Sequence, residues 1–427
     1  MAYKQLTEDI VVDYIKDLEP VKKIFPSFDS IDVKEIGDGN LNYVYIITNS
    51  RNPEETVILK QAVPFLRVVG ESWPLDIERM DFEVAALRKE YEICPSLVPE
   101  VYYSDSEMSL VIMQNLNKHA IVRGEMNKGV RFPRLPDHVS TFLARMAFFT
   151  SDWGMVEKTE KWPDHDTARK KDMVQELINK DLCNLTENFI FSHPFYDSDT
   201  NSYTPGLTDE DIKGIQEDGE LKVKAAFLRY KFMNNAEILL HGDLHTGSIM
   251  ANQEETYIID PEFAFFGPAG FDAGLLTGNM FLAYLGQLHW QKQLGNDPAD
   301  YRSWVLSAIE DIWHGFQSKY DSLWVEKQKE SPDPMWTYPG GDAAFRQLRE
   351  AEALRIFRDA AGIAGTVMIR RTLGLAKVSD IASIEDKEVR SSLDRMALQI
   401  GKRLILEADS MGNIGDAVNI AKDVSPL

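Results

Sequence analysis

Apolar and polar residues alternate from Ile31 to Ile36, from Leu41 to Ile47 and from Thr56 to Val63, the two-residue period of strands with one covered face. The interruption Thr48-Asn49-Ser50-Arg51-Asn52-Pro53 supplies turn chemistry between them. Beyond Trp73-Pro74 the period lengthens, and Ile77, Met80, Val84, Leu87 and Tyr91 fall on one stripe of a helix. A further strand, Ser109 to Met113, leads into Gln114-Asn115-Leu116. These strands and one helix therefore predict a small β-rich unit ending near residue 113. The rest reads as helix. Val139, Phe142, Leu143, Met146 and Phe149 make one stripe, and Tyr301, Trp304, Val305, Ala308, Ile309, Ile312, Trp313, Phe316 and Tyr320 a stronger one, both expected in the core. Glu326 to Asp342 is polar and rich in Pro and Gly, which predicts a surface loop. A chain of 427 residues exceeds one ordinary core, so an α+β protein of two lobes is expected.

Two short apolar runs in the helical part, Ile238-Leu239-Leu240 and Tyr257-Ile258-Ile259, read as buried strands, with Asn252-Gln253-Glu254 at the middle of a hairpin. Each run delivers carboxylates. The first is followed by His241-Gly242-Asp243-Leu244-His245-Thr246-Gly247-Ser248, and the second by Asp260-Pro261-Glu262, whose first residue lies seventeen after Asp243. Phosphoryl transfer uses this layout: one carboxylate orients the attacking hydroxyl, and another holds the Mg²⁺ that bridges the nucleotide phosphates.

Asp243 is the candidate for the hydroxyl, since His-x-Asp-Leu with a polar side chain five residues on is more restrictive than a lone post-strand aspartate. Asp260 and Glu262, two apart on an extended segment, are candidate metal ligands. Ser248 stands where most kinases of this type carry an Asn ligand; its hydroxyl either reaches the metal, directly or through water, or serves local hydrogen bonding. Lys60, in the strand Val57 to Val63, is a point charge for phosphates or else an edge-strand lysine. Glu83 is a candidate partner for Lys60, with Glu78 as competitor and Arg79 as a rival for Glu83. Gly37-Asp38-Gly39-Asn40-Leu41-Asn42 between two strands lets backbone approach phosphates, although a plain hairpin turn explains it too. Asp272 and His241 read as structural supports of the Asp243 loop, and His245 has no assigned role. Arg370-Arg371, at a helix end, either complement the dipole or bind substrate hydroxyls and the transferring phosphoryl.

A formal net charge of −22 argues against nucleic acid and anionic membrane surfaces as partners, while leaving a nucleotide possible through Mg²⁺ and local basic groups. Cys94 and Cys183 are the whole cysteine content, so no disulfide framework is expected. There is no signal-peptide apolar region and no run near the ~20 residues of a membrane span. A reducing, cytoplasmic setting is the simplest expectation.

Glu35-Ile-Gly-Asp-Gly-Asn-Leu-Asn-Tyr43, Lys60-Gln-Ala-Val-Pro64, Gly70-Glu-Ser-Trp-Pro74, the His241–Ser248 loop, Asp260-Pro-Glu-Phe263 and Ile369-Arg-Arg371 together resemble the 5-methylthioribose kinases over essentially the whole chain. That family has the bilobal protein-kinase-like fold shared with aminoglycoside and choline kinases. The resemblance implies a β-rich nucleotide lobe over 1–113, a hinge at 114–118, and a mainly helical catalytic and substrate lobe over 119–427. It implies transfer of the ATP γ-phosphate, with Mg²⁺, to the anomeric 1-hydroxyl of 5-methylthioribose in methionine salvage, by a homodimer. Carried over, Asn40 and Lys60 contact the nucleotide, Gln114, Asn115 and Leu116 hold adenine through backbone groups, and Asp260-Pro261-Glu262 line the metal and nucleotide site. Asp243, Arg370 and Arg371 face the sugar, and Trp73 lies in a closing loop. Gln114-Asn115 departs from the Glu-Asp of some relatives, and the loop at 326–342 is long. A kinase for another small alcohol or aminoglycoside, and a pseudokinase scaffold, are the competing readings.

Overall fold

The computed structural model describes residues 3–36, 41–67, 70–161, 163 and 166–427. The chain divides into two compact units, Met1–Lys118 with Tyr257–Ala264, and His119–Thr256 with Phe265–Leu427. The segment carrying Asp260 and Glu262, which the sequence reading placed in the helical part, thus folds with the first unit. There the Ile258 N–H donates to Leu97 O at 2.8 Å.

The first unit is built on β1 (Ile31–Glu35), β2 (Asn42–Asn49), β3 (Asn52–Ala62), β4 (Phe65–Leu66), β5 (Gly70–Pro74), β6 (Val101–Asp105) and β7 (Leu110–Gln114). Five of these form one antiparallel sheet in the order β1-β2-β3-β7-β6, while β4 and β5 make a separate two-stranded ribbon. The turn between β2 and β3 is tighter than its sequence suggests: Asn49 pairs with Asn52, and Asn49 Oδ1 accepts from Arg51 N at 3.0 Å. β6 escapes the alternation test because all its residues are half-buried.

One face of the sheet, with Tyr45, Ile47, Val57, Leu59, Leu110 and Ile112, is covered by Leu6, Val11, Ile15, Val21 and Phe25 from the N-terminal segment and its helices Glu8–Ile15 and Glu19–Lys22. On the other face Ala62 and Val111 pack against Met80 and Val84 of the helix Arg79–Ile93. The two-residue period then fixes Lys60. Val57 and Leu59 point to the first face, so Lys60 shares the second with Ala62, beneath Arg79–Ile93.

In the second unit, Ile238–Leu240 pairs with Phe265–Gly267, and Ile249–Ala251 pairs with Ala120–Ile121. The expected hairpin is present: the turn Asn252–Glu255, closed by Asn252 N to Glu255 O at 3.0 Å, joins Ile249–Ala251 to Thr256–Ile258 as neighbouring strands. The helix Phe271–Gln293 is buried along most of its length and packs against the long helices Pro298–Glu330 and Gly341–Leu373. The expected loop 326–342 is shorter at both ends. Glu326–Glu330 continues a helix, because Glu, Lys and Gln are good helix formers with cations in the last turn, and Gly341 opens the next. Among the described residues no helix is long and apolar enough to cross a membrane.

Candidate active site

In the first unit, burial and charge converge on Lys60. Its Nζ donates to Glu83 Oε1 at 2.8 Å, pairs with Asp260, and lies 3.7 Å from Glu262 Oε2. Burial alone would lower the Lys60 pKa, but Asp260, Glu83 and Glu262 more than reverse that and keep the ammonium charged. Glu78 is exposed and Arg79 is engaged elsewhere, so neither competes for the Lys60–Glu83 pair. Arg79 donates to Leu41 O at 3.0 Å and Asn42 Oδ1 at 2.8 Å, and Asn42 Nδ2 donates to Glu262 Oε2 at 2.7 Å.

The carboxylates remain in excess. Burial first, then Asp260, pushes Glu262 up to about 8, and burial likewise raises Glu83, whose Oε2 has no hydrogen-bond partner among the described residues. Glu83, Asp260 and Glu262 bring oxygens within 4.8 Å of one another. This hard-oxygen cluster, short of positive charge, buried at Glu83 and Glu262 and open to solvent at Asp260, could hold a divalent cation. Asp260 holds a left-handed φ of 70°, a conformation that favours Gly but that Asp tolerates. Backbone tension is thus retained where the cation would be bound.

Asn40 lies outside the described residues. Gln114 N donates to Glu100 O at 2.9 Å and its side chain accepts from Glu100 N at 3.3 Å, while Asn115 Nδ2 donates to Thr56 Oγ1 at 2.8 Å. Both side chains of this segment are therefore committed to structure, and Leu116 beside them is buried. Pro261 is buried between the two acidic residues, and Trp73 is half-buried on β5.

Asp243 belongs to the second unit. Its loop is pinned at the start by Asp272, which accepts from His241 N at 2.8 Å and Gly242 N at 3.0 Å, one peptide on each carboxylate oxygen. Gly242 supplies the positive φ of 82° that turns the chain there. His241 is buried and accepts from Asp243 N at 3.3 Å, as expected of a packed support. The Ser248 hydroxyl lies 2.8 Å from Asp243 O and 2.9 Å from His245 Nδ1, which makes it a brace within the loop.

His245 went unassigned by the sequence, yet its Nε2 is 3.5 Å from Asp243 Oδ2. Its Nδ1 accepts from Gly247 N at 3.1 Å, so the proton resides on Nε2, facing Asp243. Burial holds His245 well below its usual pKa, so the ring is neutral. The spacing His-x-Asp-x-His was the available signal. Arg371 Nη2 lies 3.9 Å from Asp243 Oδ1. Burial would raise the Asp243 pKa, but His245, Arg371 and Arg370 together hold it below the ordinary carboxylate value, so it is ionised. Both arginines are at the end of the helix Gly341–Leu373, and neither Nε has a hydrogen-bond partner among the described residues. They are not solvated helix-end arginines: burial first acts against the charge of each, and on Arg371 the like charge of Arg370 comes next.

Residues 32–304 match the Phosphotransferase enzyme family. The chain is 38% identical to methylthioribose kinase 1 of Oryza sativa subsp. japonica over 98% of its own length and 95% of that protein. It is 36% identical to methylthioribose kinase of Escherichia coli over 99% of its length and 98% of that protein. Among solved structures it aligns with a choline/ethanolamine kinase family protein from Mesorhizobium loti, at 10% identity and a TM-score of 0.44, over 97% of this chain and 99% of that one.

Proposed function

The chain belongs to the methylthioribose kinase family of phosphotransferase enzymes, and we propose that it transfers the γ-phosphoryl group of ATP to the anomeric 1-hydroxyl of 5-methylthioribose, giving 5-methylthioribose 1-phosphate and ADP in methionine salvage. The observation that carries the acceptor side is Asp243, an ionised carboxylate on a loop whose backbone Asp272 anchors, with Arg371 3.9 Å away. Asp243 accepts the hydrogen bond of the anomeric hydroxyl and so orients its lone pair for attack. His245, its Nε2–H aimed at Asp243 Oδ2, fixes the carboxylate's rotation. The forks of Arg370 and Arg371 bind sugar hydroxyls and offset charge on the phosphoryl group in transfer. Ser248 is assigned to the loop it braces.

On the nucleotide side, Lys60 holds the phosphates and Glu83 aims it. Asp260 and Glu262 would hold Mg²⁺, which would supply positive charge to the nucleotide phosphates. Asn40 contacts the nucleotide, Trp73 belongs to a loop that closes on it, and Asn115 and Leu116 hold adenine through the main chain. The structural commitment of the Gln114 and Asn115 side chains supports that last role. A homodimer is proposed as well, supported by Val223, Phe227, Tyr230 and Met233, which leave one side of the helix Gly219–Asn234 apolar and exposed. A content of only two cysteines, Cys94 and Cys183, suits a cytoplasmic setting.

The test is Mg²⁺-dependent ATP turnover with 5-methylthioribose against choline, glucosamine and an aminoglycoside, with the product's phosphorus resonance located at carbon 1. A higher kcat/KM for another alcohol would reassign the acceptor. No turnover with any of them would make the protein a scaffold.

A further inference from the structure

Asp380 is a carboxylate that the assignments above leave without a task. Its side chain is fully buried, and neither carboxylate oxygen receives a hydrogen bond from another residue among those described. Its main chain is held rigidly: the Asp380 carbonyl accepts from Trp290 Nε1 at 2.9 Å and packs so close to Gly286 that an added Cβ there would meet it at 2.4 Å. What faces the carboxylate is cationic. Arg123 Nε lies 3.1 Å from Asp380 Oδ2, and Arg371 is the next charge that acts on it.

Arg123 in turn grips the Asp243 loop. Its backbone N–H donates to Thr246 O at 2.9 Å, its Nε to Thr246 Oγ1 at 3.2 Å, and its Nη2 to Asn279 Oδ1 at 2.8 Å. Position 247 is Gly for the same reason, since a Cβ would meet Arg123 Nη1 at 2.7 Å. The Asp380 charge thus acts on Arg123 at close range and more weakly on Arg371, which also feels Asp243 and the cations Arg370 and Arg123. Arg371 stands 3.9 Å from Asp243, outside hydrogen-bonding distance, and its Nη1 donates to Ala376 O at 2.6 Å.

We infer that Asp380 is a positioning residue for phosphoryl transfer: as counter-ion to Arg123 and Arg371 together, it keeps Arg371 from closing onto Asp243 and keeps Arg123 on the catalytic loop. This rests on the assignment of Asp243 to the acceptor hydroxyl. Without the Asp380 charge, Asp243 is the remaining carboxylate for Arg371, and a full ion pair there would occupy the oxygens that the sugar hydroxyl needs.

The test uses the full chain with Asp380→Asn, Arg371→Lys and the pair combined. Asp380→Asn lowers kcat with 5-methylthioribose at least about tenfold while KM for ATP stays within about twofold. In the Arg371→Lys background the same change costs less than about threefold, because its effect runs through Arg371. A merely structural role would multiply the two losses, and that outcome, or a folded Asp380→Asn protein with kcat near wild type, overturns the inference. A second readout needs neither sugar nor ATP: the rise in melting temperature produced by millimolar sulfate. It grows in Asp380→Asn, which leaves the arginines short of counter-charge, and shrinks in Arg123→Gln, which gives Asp380 wholly to Arg371. Shifts of the same sign in both variants would refute the arrangement, even if 5-methylthioribose proves not to be the acceptor. Should Asp380→Asn fail to fold, an Arg123→Gln protein with unchanged sugar KM and unchanged sulfate response overturns it.

Discussion

Around Lys60 the carboxylates of Glu83, Asp260 and Glu262 exceed the cations that face them, whereas around Asp243 the guanidiniums of Arg123, Arg370 and Arg371 exceed the carboxylates. The first cluster gathers side chains from a strand, a helix and a short acidic segment. The second hangs on one loop whose backbone is tied to Asp272, Arg123 and Ser248. Opposite imbalances imply opposite partners. An acidic excess is completed by a cation, and a basic excess by a hydroxyl-rich, phosphoryl-accepting molecule. A kinase needs both, and in this chain each is already present within its own unit.

The most severe way to break the contrast is to remove the negative charge from the basic cluster. Asp243→Asn keeps shape but not charge, and kcat should fall about 10²–10⁴-fold. Nucleotide affinity, measured by calorimetry without sugar, should stay at the wild-type value; wild-type turnover would remove Asp243 from the chemistry. Next comes the acidic cluster. Asp260→Ala should reduce Mg²⁺-dependent turnover more than Ser248→Ala, because a carboxylate brings charge as well as a ligand oxygen, while the Ser248 hydroxyl is spent on Asp243 O and His245. Equal losses would contradict that ranking.

Arg370→Lys and Arg371→Lys sharpen the comparison, since lysine keeps the charge and discards the fork. Either should lower kcat/KM for the sugar by at least about tenfold, roughly 1.4 kcal/mol, with ATP binding nearly unmoved. Weakened ATP binding with normal sugar handling would transfer the pair to the nucleotide site.

The smallest effect is one of pH. Glu262 has a folded pKa raised to about 8 from an ordinary 4.5, so it favours the folded state below the ordinary value, and that contribution is lost as pH climbs toward 8. Without metal, the melting temperature should decline between pH 5 and about 8, and millimolar Mg²⁺ should flatten the decline. A slope indifferent to Mg²⁺ would mean the cluster is not the metal site.

Much of this was legible because it is local. The strand period places Lys60, and the spacing of Asp243, Asp260 and Glu262 along the chain points to phosphoryl transfer. What the sequence hid is what tertiary structure brings from afar. Arg123 and Asp380 lie in the short helices Val122–Asn127 and Ser379–Ala382, with no motif around them, and Asn42, held by Arg79, meets Glu262 only when the segment Tyr257–Ala264 joins the first unit. Glu326–Glu330 misled in another way: a run of charge looks like a solvated loop, although those same residues extend a helix well.

Trp73, on the short β4–β5 ribbon, is the one tryptophan in the sequence that falls in the first unit; all the others belong to the second. That distribution makes it an intrinsic reporter. In protein grown with 5-fluorotryptophan, a single fluorine resonance should disappear in Trp73→Phe, and that resonance would follow the nucleotide side of the enzyme through a titration without any attached dye. The remaining signals would report on the helical unit in the same spectrum, so the order in which the two respond to ATP and to sugar can be read from one sample.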